Sequence, residues 1–261
     1  TICLITIFFS ISTAFSTSSP FSFNTTRELQ LVFGSSLLLS YGIYSQNNKA
    51  SLDLNDIEKL NDDDVNSFDR ITIRNWSLEI SNVSDYAVAA YIIMPTLLLT
   101  KKEIKDNLIE MTTLYAETLL INNIINSLSK GLITRTRPYA YNPDVSIGKK
   151  TNKNTQNSFL SGHTSNAFAS AFFLINTYNS YYPNSKMDIF LSSTILLGAA
   201  GIAYLRVESG MHYPTDVMAG AITGSITGFL ILYIHKTKNA RIRIASIYNS
   251  KNTGIDIQFI F

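Results

Sequence analysis

Six apolar stretches of helical length alternate with polar connections along the chain, at residues 29–44, 85–100, 107–130, 162–182, 187–205 and 215–235. Most approach the ~20 residues that a bilayer crossing needs, with 29–44 and 85–100 marginal. The third carries Glu110, Glu117, Asn122, Asn123 and Asn126, which are costly in lipid unless they face other helices. The sixth holds Gly220, Gly224 and Gly228 at a four-residue spacing, a small-residue stripe that lets helix backbones approach closely in a membrane or in a tight soluble bundle. A seventh apolar run, 2–16, is too short and too rich in Ser and Thr to read as a span. Its Ala14–Phe15–Ser16 ending places small residues as a signal-peptidase site does, so 1–16 reads as a signal peptide.

The connections are equally patterned. Residues 46–84 are polar and acid-rich, with Asp62, Asp63 and Asp64 in a row, which predicts a solvated loop or short surface helices. Residues 139–158 are rich in Asn, Lys and Tyr, and Pro138 and Pro143 stop helices there. Beyond His235 the period changes to two. Residues 241–248 and 254–261 alternate around Asn249, Ser250, Lys251 and Asn252, which predicts a hairpin. The expected fold is all-α: an antiparallel, membrane-embedded bundle of about six core helices with a short C-terminal β-hairpin tail. The expected organisation is a signal peptide at 1–16, an N-terminal helix and acidic extracytoplasmic loop at 17–84, the helical bundle at 85–236 and the tail at 237–261.

Composition narrows the function. Of 261 residues, 46% are hydrophobic and 15% charged, below the ~25% charge of soluble proteins. Mean hydropathy is only +0.11, so the membrane signal lies in segments. A net charge of +2 argues neither for nor against nucleic acid, but the lack of a basic stripe interleaved with aromatics argues against it as a partner. The single cysteine, Cys3, excludes an intrachain disulfide and any Cys-based metal site.

Three short polar motifs stand at the ends of the apolar segments. Lys130 and Arg137, seven apart, would lie two turns apart on one face if the helix ran through both, and Pro138 pushes Arg137 out of the helical region, so the chain is expected to turn there. Two fixed cations there can grip a dianion, although a basic helix end alone reads more simply as a solvated cap or membrane anchor. Ser161, Gly162 and His163 open the fourth helix. Ser161 is a natural N-cap, Gly162 admits close backbone approach, and His163 at the mouth could protonate a leaving oxygen. A plain capped helix with a surface histidine is the simpler alternative.

Arg206 ends the fifth helix, and His212 and Asp216 open the sixth around Pro214. A carboxylate bonded to one imidazole nitrogen leaves the other as a nucleophile; a structural hydrogen bond is the alternative, and no third ligand at metal spacing accompanies the pair. In an antiparallel bundle the four helix ends bearing these motifs fall on the same side, which predicts one shared pocket. His235, at the far end of the last helix, reads as a boundary residue without a chemical role.

The spacing Lys-x6-Arg-Pro, Ser-Gly-His and Arg-x5-His-x3-Asp resembles the type 2 phosphatidic acid phosphatase superfamily, over roughly residues 85–235. That group includes membrane lipid phosphatases, soluble bacterial acid phosphatases and vanadium haloperoxidases. The resemblance implies phosphate binding by Lys130, Arg137, Ser161, Gly162 and Arg206. It further implies a phosphohistidine on His212 with Asp216 as its partner, His163 as the acid for the leaving group, and no metal or other cofactor. Leu160 and Leu205 stand where the family usually has Pro and Ser.

The expected activity is metal-independent removal of a terminal phosphate from a lipid phosphate or prenyl diphosphate. A soluble periplasmic acid phosphatase, a vanadate-dependent haloperoxidase and a non-catalytic phosphate- or lipid-binding envelope protein are the rivals. Lys101, Lys102, Lys105, Lys236, Lys238, Arg241 and Arg243 cluster away from the motifs, as cytoplasmic flanks do, so the pocket is expected to face the periplasm from a bacterial inner membrane. A cleaved signal followed by six crossings would put the pocket inside instead. Residues 29–44 not spanning, an uncleaved 1–16, or a bundle that does not cross would each remove that conflict.

Overall fold

A computed structural model describes residues 19–236 and the backbone of 241–249 and 252–260. The signal-peptide assignment for 1–16, and Cys3 with it, lies outside the described residues.

Six long helices carry the architecture: α1 (Thr25–Asn47), α4 (Leu78–Ile93), α6 (Leu108–Leu132), α8 (Gly162–Tyr181), α9 (Ile189–Glu208) and α10 (Pro214–His235). Short helices α2 (Leu54–Glu58), α3 (Ser67–Arg70), α5 (Lys102–Lys105) and α7 (Ile147–Lys150) lie in the connections. The tail is the antiparallel hairpin the alternation predicts, β1 (Arg241–Asn249) pairing with β2 (Asn252–Ile260) and Ile244 opposite Ile257.

The helix starts follow ordinary capping chemistry. Asn24, Ser77, Ser161 and Asp188 each accept an amide hydrogen from the first turn of the helix they precede. Pro214 occupies the first turn of α10, where a missing N–H is harmless. The second predicted helix begins seven residues earlier than its apolar run, at Leu78. It tightens into a 3-10 turn over Met94–Thr100, where Pro95 cannot donate to the ladder.

Helix α8 is central and packs against α10, α9, α4 and α6, while α1 lies along α6. Its contact with α10 is backbone to backbone. A methyl group at Gly220, Gly224 or Gly228 would stand 2.6, 2.1 or 2.5 Å from the carbonyl oxygens of Ser161, Ser165 and Ala169. Substituting Gly224→Ala therefore forces the two helices apart, and a stability loss of about 1–3 kcal/mol is expected as a lowered melting midpoint in detergent.

The polar residues of α6 face inward. Asn122 and Asn126 bond Ser165 Oγ at 3.1 and 2.6 Å, and Asn122 also donates to Asn166 at 2.6 Å. The main apolar cluster, including Ile104, Leu114, Phe173 and Ile231, fills the bundle end away from the three motifs. Three helical segments, Leu78–Thr100, Ile189–Glu208 and Pro214–His235, are long and apolar enough to cross a membrane. Their outward faces expose Tyr86, Ile93, Phe190, Leu197 and Ile222, as a lipid-facing surface does.

At the motif end the connections form a packed cap, which departs from the solvated loops expected there. Asp62, Asp63 and Asp64 are solvated in part, with Arg70 and Arg74 paired to Asp63 and Asp62. Around them Val65, Ile73 and Tyr213 are buried together, as are Tyr139, Ala140, Val145 and Met211. Trp76 packs on Tyr139 with ring centroids 5.4 Å apart, and Asn142 donates to the Arg74 carbonyl at 2.6 Å.

Candidate active site

The bundle brings the C-terminal end of α6, the N-terminal end of α8, the C-terminal end of α9 and the N-terminal end of α10 under this cap. The α9–α10 turn is tight because Gly210 takes φ 69°, with Asn75 O pressed where a side chain would be. The amides of Met211 and His212 both donate to the Arg206 carbonyl at 3.2 Å, which holds His212 beside the end of α9.

His212 is buried, 1% exposed. Its Nδ1 lies 2.7 Å from the Ser158 carbonyl oxygen. A carbonyl only accepts, so Nδ1 carries the hydrogen and Nε2 keeps its lone pair. Asp216 Oδ2 stands 3.7 Å from the same Nδ1, beyond hydrogen-bond range. The carboxylate therefore acts on the ring through charge and through Ser158, whose hydroxyl donates to Asp216 Oδ2 at 2.6 Å. The Tyr213 amide donates to the same oxygen at 3.0 Å.

Two cations, Arg137 and Arg206, act on this imidazole, and a third, Lys130, stands near them. Arg137 donates to the Asn154, Met211 and Asn157 carbonyls at 3.0, 3.3 and 3.3 Å. Arg206 is buried and donates through one terminal nitrogen to Ser84 Oγ at 2.8 Å and Asp85 Oδ1 at 3.2 Å, while its Nε meets no acceptor. Lys130 lies within electrostatic reach of both arginines and of Asp216. A methyl at Gly162 would come within 3.3 Å of Lys130 Nζ, so the glycine lets the ammonium reach the start of α8. Ser161 caps that helix and donates its amide to the Asp216 carbonyl at 3.1 Å, joining the second motif to the third.

His163 Nε2 lies 2.7 Å from Asp85 Oδ1 and within the field of Arg206 and Lys130. Arg206 thus neighbours both imidazoles. Like charges gathered in a buried place repel one another, and a site of this kind is complementary to an anion.

Three residues that the motifs did not include complete the arrangement. Arg135 pairs with Asp69 at 2.6 Å and with Asp216, and its guanidinium lies 4.3 Å from the Tyr213 ring centre. Asp69 also accepts from the Thr215 amide and hydroxyl at 3.0 and 2.7 Å, so the cap helix α3 is tied to the start of α10. Asp85 links His163 to Arg206. A faint signal for it existed: Ser81, Ser84 and Asp85 share one helical face. Asp69 and Arg135 had none, being single charges in stretches read as loop and basic helix end.

Charge states follow the surroundings. Burial pushes the His212 imidazole well below its ordinary value, and Arg137 and Arg206 push the same way against the opposing Asp216. Burial alone would raise the Asp69 carboxyl, but bonds from Thr215, Asn66 and Arg135 hold it below the usual range. Burial would lower Arg135, yet Asp216 and Asp69 raise it.

His235 departs from its sequence reading. It is fully buried, with Nε2 3.2 Å from Glu28 and 3.5 Å from Glu117, and so is no boundary residue. It lies at the opposite end of α10 from His212.

Among known proteins, a lipid A 4'-phosphatase of Bacteroides thetaiotaomicron is 30% identical to this chain over 139 residues, 51% of this chain and 57% of the relative. A lipid A 4'-phosphatase of Porphyromonas gingivalis is 26% identical over 144 residues, 54% of this chain and 57% of the relative. The chain therefore matches little more than half the length of these curated relatives. The crystal structure of Aquifex aeolicus LpxE superposes with a TM-score of 0.45 at 19% identity, over 63% of this chain and 92% of that one. Residues 112–240, which contain all three motifs, match the family model of the PAP2 superfamily, and this part of the chain belongs to that superfamily.

Proposed function

We propose that the protein is a metal-independent phosphohydrolase that removes a terminal phosphate from a membrane lipid through a phosphohistidine on His212. The observation that carries this reading is the state of His212. Its Nδ1–H is held by the Ser158 carbonyl, leaving a free Nε2 lone pair on a ring that lies in the field of Arg137 and Arg206, with Lys130 near both arginines. Binding a phosphate without turnover requires cations but no such nucleophile.

In the proposed reaction, Lys130, Arg137 and Arg206 neutralise the phosphoryl oxygens, and the unpartnered Arg206 Nε–H supplies one donor to them. The His212 Nε2 lone pair forms the N–P bond as the P–O bond to the lipid breaks. Burial and then Arg206 hold the His163 imidazole down to about 4, so it takes up its proton as the anionic substrate enters beside it, and gives that proton from Nδ1 to the departing oxygen. A water then attacks the phosphorus, His163 takes back a proton, and the N–P bond breaks to release inorganic phosphate and neutral His212. Asp216 offsets the positive charge that His212 gains in the intermediate. Asp85 holds the His163 ring in place through the bond to Nε2.

The substrate class rests on two supports. The exposed apolar faces of the three candidate spans support a cap and site close to a membrane surface, and two relatives are named as lipid A 4'-phosphatases. Lipid A is thus the first substrate to test, with other lipid phosphates and prenyl diphosphates as competitors. Lys101, Lys102, Lys105 and Lys236 mark the opposite end of the bundle, which suits a pocket facing the periplasm from the inner membrane.

Phosphate release by detergent-purified protein should be measured on lipid A, phosphatidic acid, phosphatidylglycerol phosphate, undecaprenyl diphosphate and a soluble ester. Turnover of at least one lipid, well above the ester and blocked by vanadate, is expected. Preference for the ester, with release from cells by osmotic shock, would select the soluble acid phosphatase. Tight phosphate binding without turnover of any substrate would reject catalysis.

A further inference from the structure

At the bundle end away from the phosphate pocket, three metal-ligating side chains meet from three helices. Glu28 comes from the first turn of α1, Glu117 from α6 and His235 from the last turn of α10. All are buried, at 4%, 3% and 0% exposure, and their ligand atoms lie within 4.8 Å of one another. The reaction proposed above uses none of them.

The hydrogen bonds around this cluster do not close. His235 Nδ1 lies 2.7 Å from the Ile231 carbonyl, so Nδ1 carries a hydrogen, and with a metal ion bound the ring would turn an Nε2 lone pair toward the point where the carboxylates meet. That nitrogen faces Glu28 Oε2 at 3.2 Å and Glu117 Oε2 at 3.5 Å. Glu28 is anchored through its other oxygen, which accepts from Arg27 at 2.6 and 2.9 Å and from the Asn24 amide at 3.3 Å. Neither oxygen of Glu117 has a hydrogen-bond partner. Three ligand atoms thus converge on one point, and the Glu117 carboxylate, buried and without a hydrogen-bond partner, is strongly unfavourable unless something neutralises it.

We propose that Glu28, Glu117 and His235 form a buried site for one divalent transition-metal ion of the zinc or manganese class, structural in role and separate from the phosphate pocket. The spacing fits such an ion. Ligands about 2.0–2.1 Å from a tetrahedral centre stand about 3.3 Å apart, and the two contacts to His235 bracket that value. The donor set also fits. One imidazole and two carboxylates suit zinc, manganese or ferrous iron better than calcium, which takes more oxygens, or cuprous copper, which prefers sulfur. Supporting bonds are in place as well, with the Ile231 carbonyl orienting the imidazole and Arg27 orienting Glu28. An ion here would clasp the start of α1 to the end of α10 through the middle of α6.

The test is metal content by plasma mass spectrometry on full-length protein purified in detergent without chelator, combined with thermal melting. About one zinc or manganese per chain is expected in the wild type and in His212→Ala, and far less in Glu117→Gln and His235→Gln. Prolonged chelation should lower the wild-type melting midpoint, and added zinc or manganese should restore it without affecting Glu117→Gln. Wild-type protein that is metal-free as purified and melts identically with and without added zinc or manganese would overturn the proposal, the cluster then being held by a shared proton. Should Glu117→Gln fail to fold, the wild-type metal content and its metal-dependent melting still decide. Because no ligand of this site belongs to the phosphate pocket, loss of the metal proposal leaves the hydrolase reading standing, and failure of lipid turnover leaves metal content to be judged separately.

Discussion

Replacing His212 with alanine is expected to reduce phosphate release by about 10³- to 10⁶-fold, the range seen when a covalent nucleophile is removed. The variant should remain folded, because the ring makes one hydrogen bond, to the Ser158 carbonyl, while Arg206, Arg135 and the α8–α10 contact hold the surrounding turn. Melting in detergent alongside single-turnover phosphate release checks both halves. A stably folded His212→Ala protein retaining near-wild-type turnover would end the phosphohistidine mechanism.

The same residue predicts a pH profile. A free imidazole titrates near 6.5, and burial holds His212 well below that. The nucleophile therefore stays unprotonated as pH falls through 6.5, and any acid limb attributable to it begins well below that point. Stability moves the opposite way. The unfolded chain binds a proton at this position below about 6.5 whereas the folded one does not, so acidification below that value favours unfolding. A loss of activity centred near 6.5 with intact fold would assign the titration to another group.

Arg135→Ala is the second large effect. It removes the partner of two fully buried carboxylates, Asp69 and Asp216, and breaking such a pair typically costs about 3–5 kcal/mol. The expected fall in melting midpoint is roughly 10 °C. Because Asp216 also holds Ser158, and Ser158 holds His212, residual activity should fall beyond what the loss of stability explains. Adding Asp69→Asn to Arg135→Ala should recover part of the stability, since one uncompensated charge disappears. A double variant no better than Arg135→Ala alone would show that the arginine acts through packing, including its stacking on Tyr213.

Local signals made most of the fold legible. Apolar runs marked all six long helices, Ser161 and Pro214 marked where α8 and α10 begin, and a period of two marked the hairpin. The clustering of the motifs was readable because each sits at a helix end, and antiparallel packing then leaves little choice of neighbours. The unreadable part depended on partners distant along the chain. Asp69 gains its meaning only from Arg135 and Thr215, and Asp85 only from His163 and Arg206. The acid-rich connection was read by its charge, while Val65 and Ile73, the residues that pack the cap, are too sparse to form a periodic pattern. His235 was misjudged for the same reason: flanking lysine suggested an interface, whereas Glu28 and Glu117 bury it.

The glycine stripe on α10 has a mechanical consequence. Ser161 and His212 stand just before the two members of a helix pair whose separation is set, at Gly220, Gly224 and Gly228, by carbonyl oxygens resting against α-carbons that carry no side chain. Sliding such a pair requires a jump of one whole four-residue tooth, so α8 and α10 behave as an indexed coupling. A change in bilayer thickness is therefore expected to be taken up at other helix contacts, with the register of α8 against α10 unchanged.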